Sequence, residues 1–246
     1  MRRIWLVVGA VLAAVPAAAQ DIAPALDMTL MAGWSGHGAA LEQTKRQTGT
    51  RLSARSRPAS SEARPSMTQA QVIARTSFRP DPAVRARVYA RSVTQLQRAG
   101  VPAANVALYR QILASGKLRN EAVGVLGRYG MSPDNLVDTT AIYLAASWLA
   151  AHGNNGVPSA AQMRGLRAQV AGAMAANPAL LAATSAAKQE LAEANIVQAA
   201  LASSAAETAV KNPASAGRGR AAVAGWVRDS YGLDLTRMTL TANGLH

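Results

Sequence analysis

Between Ser132 and Gly153 the chain reads SPDNLVDTTAIYLAASWLAAHG. Leu136, Val137, Ala141, Ile142, Tyr143, Leu144, Ala145, Trp148 and Leu149 occupy nearly the whole circumference of the helix that this run predicts. A helix that is apolar all round is a buried one, so the others are expected to wrap it. Ser132-Pro133-Asp134-Asn135 supplies its start signal and His152-Gly153 its stop. The fold class read from this stretch is all-α, an orthogonal or irregular bundle of about six to seven helices with a short extended C-terminal tail.

Helical patterns continue on both sides. Upstream, Asp81-Pro82 is an aspartate cap with proline in the first turn, opening a helix over Ala83 to Arg98 whose Val84, Val88, Val93 and Leu96 share one side. Pro102 to Ser115 places Val106, Tyr109, Ile112 and Leu113 at helical spacing, and Gly116 closes it. Asn120 to Tyr129 reads as a third helix, capped by Asn120, with Val123, Leu126 and Tyr129 as its apolar set. Downstream, Ser159 to Ala176 carries Met163, Leu166, Val170 and Met174, and Asn177-Pro178 starts a short helix. Thr184 or Ser185 then caps a long helix to about Val210, with Leu191, Ile196, Ala199 and Leu201 on its face; a last helix spans Ser215 to Ser230. The tail from Leu233 to Thr241 alternates partly between apolar and polar residues, which predicts an extended segment with no strand partner elsewhere.

The N-terminal third has a different character. Arg2 and Arg3 precede an apolar run from Ile4 to Val15, followed by Pro16-Ala17-Ala18-Ala19. This is the pattern of a secretory signal peptide over residues 1–19, cleaved before Gln20, and it predicts a periplasmic or secreted protein with no transmembrane span left after cleavage. Residues 20–80 read as a basic arm, flexible from Gly33 to about Ala74 because no amphipathic period offsets the ordering entropy. Residues 81–246 form the expected helical domain. From Lys45 to Arg98 twelve Lys and Arg face two acids, Glu62 and Asp81, whereas Ala99 to His246 carries twelve against eight. The formal charge of +13 is thus concentrated before Ala99. Such a charge selects anionic partners. The absence of cysteine excludes disulfides, a thiol nucleophile and a lipid-modified cysteine.

Few residues look chemical. Asp134, Asn135 and Asp138 cluster, but their spacing suits a helix cap and an ion pair with a neighbour such as Arg128 better than catalysis. Glu190 and Glu193 lie three apart on the long helix, a solvated salt-bridging face in the plain reading and a proton donor in a wall-cleaving enzyme otherwise. Asp138, Glu190 and Glu193 are therefore the weak catalytic candidates. His37, His152 and His246 are scattered and give no metal-ligand spacing, so no metal and no cofactor is expected. Gly217-Arg218-Gly219-Arg220 could hold an anion at the start of the last helix. Trp148 and Trp226 read as core anchors, while Trp34 among glycines joins Arg46, Arg51, Arg55, Arg57 and Arg64 as a candidate partner-binding set.

Tyr129-Gly130-Met131, Asp134-Asn135-Leu136-Val137-Asp138, Ala146-x-Trp148, Tyr231-Gly232-Leu233-Asp234-Leu235 and Leu240-Thr241 resemble a family of exported bacterial proteins of unknown function. The resemblance covers about Pro80 to His246, leaves the arm outside, and implies a shared helical domain without an activity or a functional residue. The expectation is a non-enzymatic binding or organising protein whose arm faces an anionic envelope component, a lipid headgroup, lipopolysaccharide or wall polymer, or else a protein partner. A hydrolase of an envelope polymer is the alternative. Nucleic acid fits less well, since aromatic residues do not interleave the basic ones.

Overall fold

The computed structural model of the chain describes residues 67–98, 100–211 and 213–246. Nine α-helices follow in order among them: α1 Gln69–Thr76, α2 Pro82–Arg98, α3 Ala103–Ala114, α4 Lys117–Gly127, α5 Leu136–Ala151, α6 Ala160–Ala175, α7 Pro178–Ala182, α8 Ser185–Lys211 and α9 Pro213–Tyr231. A 3-10 turn at Leu235–Arg237 and two short strands, β1 Leu240–Thr241 and β2 Gly244–Leu245, complete the chain. The fold is all-α with a short extended tail, as the apolar pattern predicts. No described helix is long and apolar enough to cross a membrane.

Helix α5 is the buried axis. Only Trp148 and Leu149 along it escape full burial, and α8, α9, α6 and α1 surround it. Asn135 caps it, accepting from the Asp138 amide at 3.2 Å. The predicted core stripes of α2, α3 and α6 are also buried, from Val84, Val88, Val93 and Leu96 through Val106, Tyr109, Ile112 and Leu113 to Met163, Leu166, Val170 and Met174. The polar residues that α5 carries inside find partners on neighbouring helices. Asn195 of α8 donates to Thr140 at 2.9 Å and accepts from the Tyr231 hydroxyl at 3.2 Å, so one amide joins α5, α8 and α9.

The structure departs from the sequence reading in four places. First, α1 lies where a flexible stretch to about Ala74 is expected. A capping box between Thr68 and Gln71 starts it, Val72 is buried in the core, and Asn135 fixes its end by donating to Ile73 O at 2.7 Å and to Ser77 Oγ at 2.8 Å. Second, α4 begins at Lys117 rather than Asn120. Gly116, at φ +70°, turns the chain directly from the end of α3 into α4, whose Leu118, Ala122, Val125 and Leu126 pack while Val123 is exposed. Third, α8 is enclosed on most sides instead of one, because alanines let α5 and α9 approach closely.

The fourth departure is the tail, which does have a strand partner: itself. Leu240 pairs with Leu245 and Thr241 with Gly244 in an antiparallel hairpin. Side chains of α5 and α6 strap it down through its backbone. Trp148 Nε1 donates to Met238 O at 2.8 Å, Gln162 Nε2 to Leu240 O at 2.9 Å, and Gln169 both donates to Leu245 O and accepts from its amide at 2.8 Å. Gly165 permits the approach, since a Cβ there would overlap the Ala242 carbonyl oxygen.

Candidate functional site

Two enclosed carboxylates dominate the charge inside the fold. Asp138 sits in the first turn of α5. Its Oδ1 accepts from Arg167 Nε at 2.6 Å, and its Oδ2 from Arg167 Nη2 at 2.9 Å and from the Ser132 amide at 2.9 Å. The partner is Arg167 of α6, not Arg128. Burial pushes the Asp138 carboxyl above its ordinary range, and the arginine and amide only partly counter this. The pair ties the start of α5 to α6, and neither member lines the groove described below.

Glu193 lies at the centre of a second cluster and is fully buried, so the solvated face expected for it is wrong. Three donors converge on its Oε1: Arg85 Nε of α2 at 2.8 Å, Arg119 Nη1 of α4 at 3.4 Å, and Gln189 Nε2 one helical turn back at 3.4 Å. The Tyr89 hydroxyl donates to Oε2 at 3.4 Å. Arg119 continues the lattice outward to Asp134 and to Pro133 O. Burial would lower the Arg85 pKa, but the hydrogen bond and charge of Glu193 more than reverse this and raise it. Burial and the same carboxylate push the Tyr89 phenol well above its usual value. Gln189 holds the entrance of α2 in register by accepting from the Asp81 amide at 2.8 Å and donating to its carbonyl at 2.9 Å.

This cluster backs an open groove of about 660 Å³ between α2 and α3, bordered by the start of α4. Arg85, Arg110 and Arg119 line it together with Tyr89, Thr94, Gln97 and Asn120, and Ala86, Ala90, Val93, Leu113 and Ala114 form its apolar wall. No carboxylate lines it. From Pro82 to Gly127 the chain carries seven Lys and Arg against a single acid, Glu121. The groove is therefore cationic and apolar at once, with two of its guanidinium groups braced from behind.

The remaining candidates are dispersed. Glu190 is partly exposed and meets Arg87 Nη2 at 3.6 Å, a surface ion pair. Arg46, Arg51, Arg55, Arg57, Arg64 and Trp34 lie outside the described residues, as do residues 1–66 in general. His152 stacks against Trp148 with ring centres 4.6 Å apart. Gly217 to Arg220 lie past the first turn of α9, where amides already bond within the helix, so the anion site imagined at its start does not form there. Among the described residues no group of three or more His, Asp or Glu could hold a metal ion. Arg85, Tyr89, Arg110, Arg119 and Gln189 were not singled out from sequence. The arginines of α2 carry no local mark that separates one reaching into the fold from those that stay in water.

No curated protein and no solved structure matches the chain. A family match runs from residue 2 to residue 246, so it takes in the N-terminal segment that the resemblance left out. The chain belongs to DUF6683, a family of unknown function.

Proposed function

We propose that the protein is a non-enzymatic binding or organising protein of the periplasm or cell surface, exported by its N-terminal signal sequence, that engages anionic envelope components. The basic segment bearing Arg46, Arg51, Arg55, Arg57 and Arg64 supplies long-range attraction, with Trp34 as an interfacial anchor. The observation that carries this reading is the groove between α2 and α3, lined by three arginines and by no carboxylate. A hydrolase would need an open acid in such a place. Instead, Asp138 and Glu193 are enclosed by donors and Glu190 sits in a surface pair.

The test is co-sedimentation of the chain from Gln20 with membranes, wall sacculi and lipopolysaccharide at low and high salt, with and without residues 20–66. The deletion stops there because Val72 and Phe78 belong to the core. Binding that weakens with salt and with the deletion supports the reading, since exposed charges are screened beyond about 10 Å at 0.1 M salt. Salt-insensitive binding, or none, removes it.

A further inference from the structure

We infer that the groove between α2 and α3 binds a single-chain amphipathic anion, an alkyl chain ending in one carboxylate or phosphate. The inference rests on the anion-binding reading above and names the ligand class. Size comes first: about 660 Å³ lies within the range of small-molecule sites, roughly 300–1,000 Å³. Charge comes second. Arg85 and Arg119 are offset by Glu193 and Asp134, whereas Arg110 is exposed and lines the groove without an acidic neighbour on its wall. The site thus has one positive charge in excess, which matches a head group of one negative charge.

Donor geometry comes third. Arg85 engages Glu193 through Nε, which leaves both terminal nitrogens of its planar fork for a ligand oxygen pair. The buried carboxylate holds that fork in place before anything binds, so little side-chain entropy is lost on binding. Between the arginines the wall is mostly small and apolar, with Ala86, Ala90, Val93, Leu113 and Ala114, while Thr94, Gln97 and Asn120 add neutral polar side chains to the lining. An alkyl chain is the occupant that such a wall favours.

The experiment is calorimetric titration of the full chain with monomeric decanoate, with inorganic phosphate and 1-decanol as head-only and tail-only probes. Two variants alter the groove at exposed positions, Arg110→Glu and Ala90→Trp, and circular dichroism checks that both fold. Expected is one decanoate per chain, at least tenfold weaker binding in each variant, and at least tenfold weaker binding of either partial probe. The proposal is overturned if decanoate fails to bind, if Ala90→Trp leaves its affinity unchanged, or if phosphate alone binds as well. Vesicles of phosphatidylglycerol form a separate arm: vesicle binding that survives both variants while decanoate binding is lost assigns the groove to the free amphiphile. Loss of decanoate binding in wild type with envelope co-sedimentation retained overturns this inference alone, and the reverse pattern overturns the broader reading alone.

Discussion

Asp138 and Glu193 are both enclosed carboxylates paired with arginine, yet they do different work. Asp138 has one arginine, which spends two bonds on it, and a backbone amide that closes its second oxygen. Glu193 divides its acceptance among Arg85, Arg119, Gln189 and Tyr89, drawn from α2, α4 and its own helix, and both of those arginines also line the groove. The first pair fixes a helix end. The second fixes the inner wall of an open volume. What separates a structural ion pair from a site is thus not the burial of the charge but whether the partner also borders an open volume.

The largest effect should fall on the single-partner pair. Arg167→Ala leaves the Asp138 carboxylate enclosed with only the Ser132 amide, and breaking such a pair costs about 3–5 kcal/mol. Arg85→Ala leaves Glu193 with Arg119, Gln189 and Tyr89, so the loss is about 1–2 kcal/mol. Urea unfolding of the two variants checks this directly. Equal losses would mean that the second arginine gives Glu193 no redundancy.

Next in size is Asn135→Asp, a change of one atom. The Asn135 amide nitrogen donates to Ile73 O and Ser77 Oγ, and its oxygen accepts from the Asp138 amide and Thr76 Oγ1. The carboxylate still caps α5 but faces the Ile73 carbonyl with no proton to give. About 1–3 kcal/mol should be lost, and hydrogen exchange should accelerate in α1 before α5. Uniform acceleration across both helices would show that α1 does not open as a separate unit.

These contacts also show what local pattern can and cannot carry. The enclosure of α5 was readable because its own residues are apolar on every side, and the stripes of α2, α3 and α6 because period 3.6 is a local property. Helix α1 left a trace in Thr68-x-x-Gln71 ahead of Val72 and Ile73, a capping box easily lost beside an arginine-rich stretch. The hairpin left one in Asn243-Gly244, masked by the short, partial alternation around it. The Glu193 cluster left none. Its arginines come from 108 and 74 residues away, and a Glu beside Gln and Lys in an alanine-rich helix looks the same whether it faces water or a guanidinium from another helix. The partner of Asp138 is hidden for the same reason, since local sequence offers Arg128 but gives no sign of Arg167 across the α5–α6 contact.

A smaller, pH-dependent effect sharpens the view of Asp138. Its pKa is raised in the fold, so the folded state holds the proton more tightly than the unfolded chain, whose value is about 3.9. Its contribution is then most favourable below that value and declines as pH rises through the folded pKa. Asp138→Asn lacks this titration, so its cost relative to wild type should shrink as pH rises above the unfolded-chain value. A cost that grows over that rise would mean that Arg167 outweighs desolvation.

The smallest effect belongs to Glu190, one helical turn from Glu193 and the last of the three acids considered for catalysis. Its pair with Arg87 is long, at 3.6 Å, and more than half of the Arg87 side chain is in water. Exposed pairs of this kind contribute about 0–1 kcal/mol, so Glu190→Ala should shift the unfolding midpoint hardly at all and leave decanoate binding unchanged. That outcome confines the charge lattice to the Glu193 side of α8. A loss as large as that of Arg85→Ala would instead extend the lattice across the helix surface, through Arg87 on α2, and would make the rim of the groove part of the same electrostatic unit as its floor.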